Sequence, residues 1–430
     1  MNAAFATSTP ATNSATPSTA SDPAVTILSL AEARQRIDAA IAPLAACEDV
    51  PLSAALDRVL ASDLVSHVQV PGHDNSAMDG YALHSRYDGT KGLRVIGESR
   101  AGRPYAGPVG DQECVRIFTG AVMPDDCDAV IPQEQVAVDA DGVTIEGTVS
   151  PGQHRRLAGE DLAVGAITIA RGRKITPSDL GLAASIGRDV LTVVRRPRVA
   201  VFSTGNELRD LGAPLERGSI RDSNRYTLIG MLTRLGMEAI DLGIVGDDPV
   251  ALDAALVAAC GVGADAVITS GGVSAGDADH TRDVMRRAGD VAFWKLAIKP
   301  GRPMAFGLLA HGGRSIPMFG LPGNPVATMV VFHALVRDAM LKLAGARVEP
   351  VPSITAVCET AIPKSSGRTE FVRAIATRDA HGWRIRPTGL QGSGILRSMS
   401  EANCLIVLDH DRGPVAAGET VEAWPFQGLG

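Results

Sequence analysis

Two short stretches decide the fold: Val199-Ala-Val-Phe-Ser-Thr-Gly-Asn-Glu207 and Ala266-Val-Ile-Thr-Ser-Gly-Gly272. Each starts with a run of apolar residues, which is typical of a strand buried on both faces of a parallel sheet. Each run leads directly into a loop that contains glycine. The pattern recurs where Ile316-Pro-Met-Phe leads into Gly320-Leu-Pro-Gly-Asn-Pro325. These stretches predict three strand–loop units of one α/β domain.

Helical patterns and further strands occur in the same half of the chain. Helices are predicted at residues 224–235, 249–260, 281–288 and 325–344, and strands at 239–242, 291–294 and 304–306. Alternation of strands and helices indicates a mainly parallel sheet that is covered on both faces. In such sheets ligands bind beyond the carboxyl ends of the strands. Because all three glycine loops follow strands, we expect them to lie together at one ligand-binding edge.

The flanking segments are predicted to be mostly extended. A capped helix follows Ser29, a second helix is predicted at 53–60, and a third follows Thr176-Pro177, whose proline suits the first helical position. Residues 68–149 consist of short alternating runs between glycine and proline turns, which indicates a β-rich unit. After Pro350, a small all-β domain is indicated by short runs at 354–357, 370–375, 383–385 and 404–408.

Composition limits the possible classes of function. The 430 residues carry a formal net charge of −7 and include only 4% aromatic residues, which argues against nucleic-acid binding. No apolar run reaches the roughly 18 residues of a membrane span. Six cysteines lie far apart without a C-x-x-C pair, so we expect reduced thiols, neither zinc nor disulfides, and a cytoplasmic protein. The Ser-, Thr-, Ala- and Pro-rich residues 1–23 lack Lys and Arg and are interpreted as a disordered tail.

Acidic side chains occur in or beside the loops that follow the strands. The candidates are Glu207, Asp247, Asp248, Asp277 and Asp279. Mg²⁺ prefers one or two carboxylates together with phosphate oxygens and water, so this set predicts a magnesium site. The alternative for each carboxylate is a helix cap or a solvated side chain, and Asp247 or Asp248, just before Pro249, suits a cap.

Two further features suit a bound anion. Gly271 and Gly272 open the backbone N–H groups of their loop to phosphate-like oxygens, and Pro325 leaves a helix N-terminus available. Lys295 and Lys299 are expected to face the same side of one extended segment, about 13 Å apart at Cα. Two ammonium groups placed in this way suit an oxyanion. The alternative is a pair of surface lysines on an edge strand.

Six motifs occur in a fixed order along the chain. They are Asp74-Asn-Ser-Ala-Met-Asp-Gly-Tyr-Ala82, Phe118-Thr-Gly-Ala121, Phe202-Ser-Thr-Gly-Asn-Glu-Leu208, Ser270-Gly-Gly-Val-Ser274, Lys295-Leu-Ala-Ile-Lys-Pro-Gly301 and Gly320-Leu-Pro-Gly-Asn-Pro325. Each motif alone is moderately specific. The ordered set resembles the MoeA-type molybdopterin molybdenumtransferases, which are related to the E domain of gephyrin. The resemblance extends from about Thr26 to the C-terminus.

The resemblance implies an elongated homodimer of four-part subunits. After the tail at 1–23, an extended segment built from residues 24–67 and 150–197 would carry a β-rich insert at 68–149. An α/β molybdopterin-binding domain at 198–347 and a C-terminal β-barrel at 348–430 would follow. The active cleft in such dimers lies between the α/β domain of one subunit and the insert of the other. The implied reaction is Mg²⁺-dependent: molybdate enters adenylyl-molybdopterin, the phosphoanhydride is cleaved, and AMP is released.

The resemblance also assigns roles to individual residues. The implied catalytic residues are Asp79, Thr119, Glu207, Asp279, Lys295 and Lys299, and Asp161 is a further matching position. The residues implied to bind the pterin substrate or molybdate are Ser270, Gly271, Gly272, Pro322, Gly323, Pro325, Arg373 and Ser393. Arg373 and Ser393 resemble the pair that contacts molybdate, and an arginine fork suits two oxyanion oxygens. The pterin supplies the sulfur ligands, so no protein cysteine is required.

Two other functions compete with this interpretation. The nearer one is the preceding adenylyl transfer, which proteins with a similar α/β domain perform; the flanking domains and the Asp79 motif argue against it. The other is a non-enzymatic scaffold, because gephyrin relatives also organise receptors. The acidic residues and both lysines of the motifs favour chemistry. Besides small-molecule substrates, the adenylyltransferase is expected as a transient partner.

Overall fold

The computed structural model describes residues 27–89, 91–140, 142–273 and 279–428, without the side chains of 279–282 and 428. Its centre is a seven-stranded sheet. In spatial order the strands are β1 (Ile27–Leu28), β19 (Gly289–Leu296), β21 (Pro303–His311), β22 (Arg314–Leu321), β18 (Ala266–Ser270), β14 (Arg198–Thr204) and β17 (Glu238–Val245), numbered along the chain. Only β21 runs antiparallel to its neighbours. The prediction of a mainly parallel sheet is confirmed.

Helices cover both faces of this sheet. They are α3 (Asn224–Arg234), α4 (Pro249–Gly261), α5 (Asp279–Ala288), α6 (Pro325–Val331) and α7 (Arg337–Leu343), with a π-helical turn at Phe332–Val336 between the last two. Alternate residues of β14 point to opposite faces. Val199 and Val201 pack toward α3 and α6, whereas Ala200 and Phe202 pack toward α4 and α5. Burial on both faces explains the unbroken apolar runs in the sequence.

The N-terminal helix α1 (Leu30–Ala40) forms as expected, because Ser29 and Glu32 make a reciprocal capping box. The helix expected at 53–60 is wrong. Only a short 3₁₀ turn at Leu52–Ala54 is present, and Leu60 bridges to Val193 instead. Pairing with a distant part of the chain has overridden local helix propensity in this segment.

Two separate chain pieces run side by side as a long ribbon. The antiparallel pairs are β2 (Cys47–Pro51) with β13 (Val190–Val194), β3 (Leu64–Val65) with β12 (Ile167–Ile169), and β4 (Asn75–Ser76) with β11 (Arg155–Arg156). Helix α2 (Pro177–Ser185), with its capping box at Thr176 and Asp179, lies beside the ribbon. This is the two-piece extended segment that the resemblance implied.

A β-rich insert continues from the far end of the ribbon. Its four-stranded sheet has the order β6 (Arg94–Ser99), β7 (Glu113–Ile117), β5 (Gly80–Leu83) and β8 (Ala129–Pro132). A hairpin of β9 (Val136–Asp139) and β10 (Gly142–Ile145) packs beside it. In the α/β domain, β15 (Leu208–Arg209) and β16 (Ile220–Arg221) form a small separate pair.

The C-terminal part is a five-stranded barrel. Its strands are β23 (Ile354–Cys358), β24 (Thr369–Asp379), β25 (Gly382–Pro387), β26 (Cys404–Leu408) and β27 (Thr420–Pro425), and the pairing of β24 with β26 closes it. The short strand β20 (Ile298–Lys299) joins β24 from the α/β side. Strand β27 and helix α8 (Leu396–Glu401) were not predicted. Within the described ranges, every helix is too short or too polar to span a bilayer.

Candidate functional site

Three glycine loops lie at one edge of the central sheet. In the strand register Ser203 is opposite Ser270, and Ser270 is opposite Leu321. These residues end parallel neighbouring strands, so the loops that follow them start side by side. The expectation that the loops converge at the carboxyl ends of the strands is therefore confirmed.

The buried side chain of Asn224 joins two of these loops. At the start of α3, its Nδ2 donates to Ser270 Oγ and to the Gly323 carbonyl, each at 2.7 Å. Ser270 Oγ in turn donates to the Pro322 carbonyl at 3.3 Å. The Ser270 hydroxyl is thus buried and holds the loops together, so it is not free to bind a ligand. Sequence reasoning missed Asn224, which carries no charge and lies outside the glycine motifs.

Glycine is required at two positions of the edge. Gly271 has φ +93°, and a Cβ there would lie 2.4 Å from the Thr204 carbonyl oxygen. A Cβ on Gly205 would lie 2.6 and 2.7 Å from the two carboxylate oxygens of Glu207. The exposed Glu207 carboxylate therefore folds back over the end of its own strand. The backbone of both glycines therefore lies close to the Glu207 carboxylate or the Thr204 carbonyl. The Gly205 and Gly271 N–H groups donate to the carbonyls of Val245 and Leu321, so the expectation that the Gly271 N–H is open to an anion is wrong.

The two neighbouring aspartates have different roles. Asp247 Oδ2 accepts from the Asn206 N–H, and Asn206 Oδ1 accepts from the Asp247 N–H, both at 3.1 Å. This reciprocal pair holds the Asp247 loop against the loop of Glu207. Asp248 caps α4, because its Oδ2 accepts from the Ala251 N–H at 2.9 Å. The helix-cap alternative is therefore confirmed for Asp248, and its role as a metal ligand stays a prediction.

The predicted magnesium set is only partly covered by the described residues. Asp277 lies outside them, and Asp279 starts α5 with its side chain also outside them. Among described residues, no three carboxylate, histidine or cysteine side chains are grouped closely enough to hold a metal. Glu207 and Asp247 are the predicted ligands that the structure brings onto adjacent loops.

The two lysines lie on strands of different sheets. Lys295 is near the end of β19 in the central sheet, whereas Lys299 is in β20, which pairs with the barrel. The chain changes sheets between them at Ala297, whose N–H donates to the Leu28 carbonyl at 2.8 Å. The single extended segment that was expected is therefore wrong. The Lys295 ammonium group makes no hydrogen bond or ion pair with any described residue.

Lys299 has a partner that the sequence did not reveal. Its Nζ donates to Glu370 Oε2 at 3.1 Å, and Glu370 Oε1 accepts from Arg368 Nε at 2.9 Å. The Glu370 side chain is 4% exposed, whereas the Lys299 side chain is 51% exposed. A cavity of about 290 Å³ opens beside them and is also lined by Pro300, Gln391 and residues 360–363.

Arg373 is bonded mainly within the barrel. The side chain is buried, and its guanidinium donates to Ser398 Oγ and to the carbonyls of Leu390, Gln391 and Gly392 at 3.0–3.2 Å. Burial lowers the pKa of Arg373. Four of its five N–H groups are used within the barrel, so the guanidinium supports the loop around Gln391. Arg373 also lines the cavity beside Lys299, and its contact with molybdate stays a prediction.

The start of α6 is also occupied. The Val326 N–H donates to the Ser393 carbonyl at 3.1 Å, and α6 itself has only seven residues. The expectation of a helix N-terminus open to an anion, with Pro325 as its first residue, is therefore wrong. Ser393 links the barrel loop to this helix through its backbone.

Asp79 and Thr119, the two positions of the insert that match the family, contact each other. Asp79 Oδ1 accepts from both the N–H and the hydroxyl of Thr119 at 2.7 Å. These bonds, with a smaller contribution from Arg116, hold the pKa of Asp79 below its usual range. Asp79 is therefore ionised at neutral pH, and the residue is exposed. Arg116, which lies over the rings of Tyr81 and Phe118 at 4.9 and 5.1 Å, was not predicted from the sequence.

A neighbouring pair stabilises the same corner. Asp74 accepts hydrogen bonds from Arg155 and from the Ala158 N–H, and the Ala158 bond lowers its pKa most. This pair connects the insert motif to the returning ribbon strand. The hydrogen bonds of Asp79 and Thr119 remain within the insert.

Comparisons with known proteins cover almost the whole chain. Three family models match: the MoeA N-terminal region (domains I and II) at 28–187, a probable molybdopterin-binding domain at 200–342, and the MoeA C-terminal region (domain IV) at 355–426. A molybdopterin molybdenumtransferase of Haemophilus influenzae is 41% identical over 89% of this chain and 94% of its own length. Molybdopterin molybdenumtransferase 2 of Mycobacterium tuberculosis is 36% identical over 87% and 94%.

Solved structures agree with this result. The molybdopterin biosynthesis MoeA protein of Pyrococcus horikoshii superposes with a TM-score of 0.74 at 30% identity, covering 94% of this chain and all of the other. A second crystal structure under that name gives a TM-score of 0.80 at 27% identity, covering 93% of this chain. With this architecture and these relatives, the chain belongs to the MoeA family.

Proposed function

We propose that this enzyme is a molybdopterin molybdenumtransferase that inserts molybdate into adenylyl-molybdopterin and releases AMP. The observation that carries the proposal is the convergence of the glycine loops and the Glu207 carboxylate at one end of the central sheet. Such an edge suits a pterin phosphate next to an oxyanion. Relatives named for this activity support the same conclusion.

The cysteines fit a reaction in which the pterin supplies the sulfur ligands. Burial raises the pKa of Cys114 and Cys127 to about 12 and that of Cys404 to about 11. These thiols are protonated at neutral pH, and metals bind the thiolate. The protein's contribution is therefore to hold the two substrates together and to balance their charge.

Mg²⁺ suits the residues at the sheet edge. Glu207 and Asp247 are exposed carboxylates on adjacent, mutually hydrogen-bonded loops, and Mg²⁺ commonly uses one or two carboxylates with phosphate oxygens. When bound there, it would offset negative charge on the phosphoanhydride. Lys295 and Lys299 would attract molybdate, and the ionised Asp79 would orient the substrate from the insert.

A homodimer is part of the proposal. The ribbon and α2 enclose only a small core around Ile169, Ile175 and Val193, and the ribbon exposes the apolar side chains of Leu56, Val68, Leu157, Val164, Ile167 and Val190. Exposed apolar groups of this kind favour a protein contact. A second subunit would cover them and bring its insert to the α/β edge. Sedimentation of the purified chain tests this, and a monomer at micromolar concentration would contradict it.

The activity is tested by anaerobic turnover of adenylyl-molybdopterin with molybdate and Mg²⁺. We expect AMP release that depends on molybdate, and loss of cofactor formation in Lys295→Ala. The matched control is Lys342→Ala, because Lys342 bonds Asp38 of α1 at 2.8 Å. Adenylylation of free molybdopterin from ATP, without any molybdate-dependent AMP release, would instead identify the preceding enzyme.

A cytoplasmic location and a partner enzyme are also part of the proposal. Separated, mostly buried cysteines favour a cytoplasmic enzyme. Since adenylyl-molybdopterin is itself an enzyme product, the adenylyltransferase is the proposed donor through a transient contact.

A further inference from the structure

Glu370 is a buried carboxylate that bonds an exposed lysine across a domain junction. Lys299 and Glu370 are direct partners in the parallel pair of β20 and β24. The backbone fixes this register, because the Thr369 N–H donates to the Ala297 carbonyl at 2.9 Å. The distance between the two side chains is therefore set by strand pairing and not only by rotamer choice.

The exposures of the two partners are unequal. The Glu370 side chain is 4% exposed and its position is constrained on both sides by Lys299 and Arg368, whereas half of the Lys299 side chain faces solvent and the cavity. A lysine side chain has a flexible four-carbon stem, so a single fixed partner largely determines where its ammonium group lies. Glu370 therefore acts as the anchor in this pair.

Electrostatics and positioning predict opposite effects on anion binding. A carboxylate next to Lys299 partly offsets its charge, so removing the carboxylate would strengthen attraction for a dianion. Without the anchor, however, the ammonium group would sample other positions, and a misplacement of about 1 Å can cost on the order of a hundredfold in rate. The two effects can be distinguished, because the change in charge acts on the binding of molybdate and the loss of positioning acts on turnover.

We propose that Glu370 is a positioning residue for the insertion step: it holds the Lys299 ammonium group at the cavity of about 290 Å³ beside it, where molybdate would bind. The inference rests on the proposed function and deepens it. It assigns the barrel a direct part in the chemistry of the α/β domain, through one ion pair between strands that are 71 residues apart.

The test is Glu370→Gln, which keeps the shape of the side chain and removes its charge. We expect kcat to fall at least tenfold while KM for molybdate stays equal or decreases. Glu370→Asp, which retains the charge, should recover part of the lost kcat. A double-mutant cycle with Lys299→Gln should be non-additive, because both substitutions act through the same ammonium group. A kcat within twofold of wild type, or a loss through KM alone, would overturn the proposal.

The matched control is Asp265→Asn. Asp265 is another buried carboxylate between two arginines, Arg195 and Arg314, and it lies at the opposite end of the central strands. The Asp265→Asn variant should be less stable than the wild type but should keep the wild-type kcat. A crystal structure of Glu370→Gln provides a readout that does not depend on turnover. Displacement of Lys299 Nζ by more than about 1 Å would support the inference, and an unmoved Nζ would refute it even if the wild type proved inactive in molybdate insertion.

Discussion

Replacing Gly271 by alanine tests whether the first glycine loop requires its exact backbone path. An L-residue at φ +93° is strained by about 1–3 kcal/mol. The new Cβ would also lie 2.4 Å from the Thr204 carbonyl oxygen and 2.8 Å from its hydroxyl oxygen. Thr204 ends a buried strand and cannot move aside like a surface side chain, so overpacking adds about 1–3 kcal/mol.

Together these costs predict that Gly271→Ala lowers the free energy of unfolding by about 2–6 kcal/mol. Because the loop must shift to relieve the clash, molybdate insertion should fall at least tenfold in protein that is still folded. Urea unfolding followed by circular dichroism measures the first effect, and molybdate-dependent AMP release measures the second.

The matched control is Gly230→Ala in α3. Gly230 is exposed in a regular helix, and no atom lies within 4 Å of its added Cβ. This substitution should stabilise the protein by about 0.5–1 kcal/mol without changing turnover. If Gly271→Ala matched the wild type in both assays, the loop would not depend on its glycine conformation and the reasoning would fail.

Three further substitutions test neighbouring parts of the site. Asn224→Ala should cost about 1–3 kcal/mol by leaving buried polar groups without a partner and should raise KM for the pterin substrate; an unchanged KM would show that its loop bridge is dispensable. Asp248→Ala should lower the melting temperature, because it removes a helix cap worth about 1 kcal/mol, but its activity should keep the wild-type dependence on Mg²⁺. Asp247→Ala should need a higher Mg²⁺ concentration for the same activity. Equal shifts of the Mg²⁺ requirement in the two variants would reject Asp247 as the Mg²⁺ ligand of this pair. Thr119→Val should raise the pKa of Asp79 toward its ordinary value, as followed by NMR of the carboxyl carbon. The Thr119 bonds favour the ionised carboxylate, so they stabilise the fold above the unfolded-state pKa and lose this effect as pH falls through the lowered pKa. The backbone N–H bond, which lowers the pKa most, remains in the valine variant, so the upward shift should be partial, and an unmoved titration would exclude the Thr119 hydroxyl as a contributor.

Much of the fold was predictable because buried strands and helix starts have recognisable sequence patterns. The runs at Val199 and Ala266 are apolar without interruption, since each strand is covered on both faces. The caps at Ser29 and Thr176 marked helix starts through local hydrogen bonds between residues three apart. The glycine loops could be located at one sheet edge because each of them follows a predicted strand of a mainly parallel sheet.

Local signals failed where a distant partner competed. The segment at 53–60 looks helical by itself, but it pairs with the returning strand near Val193. Arg373 was selected because arginine suits an oxyanion, and the sequence did not reveal that its guanidinium also bonds three loop carbonyls. The choice between Asp247 and Asp248 depended on which of them reached the α4 backbone.

The sequence by itself determined the strand-and-loop order, the helix starts and the types of side chain available, because these depend on neighbours a few residues away. Only the tertiary structure decided which groups meet: Asn224 with Gly323 across 99 residues, and Lys299 with Glu370 across 71. Such pairs arise from strand register and domain packing, and an ion pair or hydrogen bond between distant residues leaves no periodic pattern in the chain. The sequence therefore supplies the candidate side chains of the site, and the fold determines which of them come into contact.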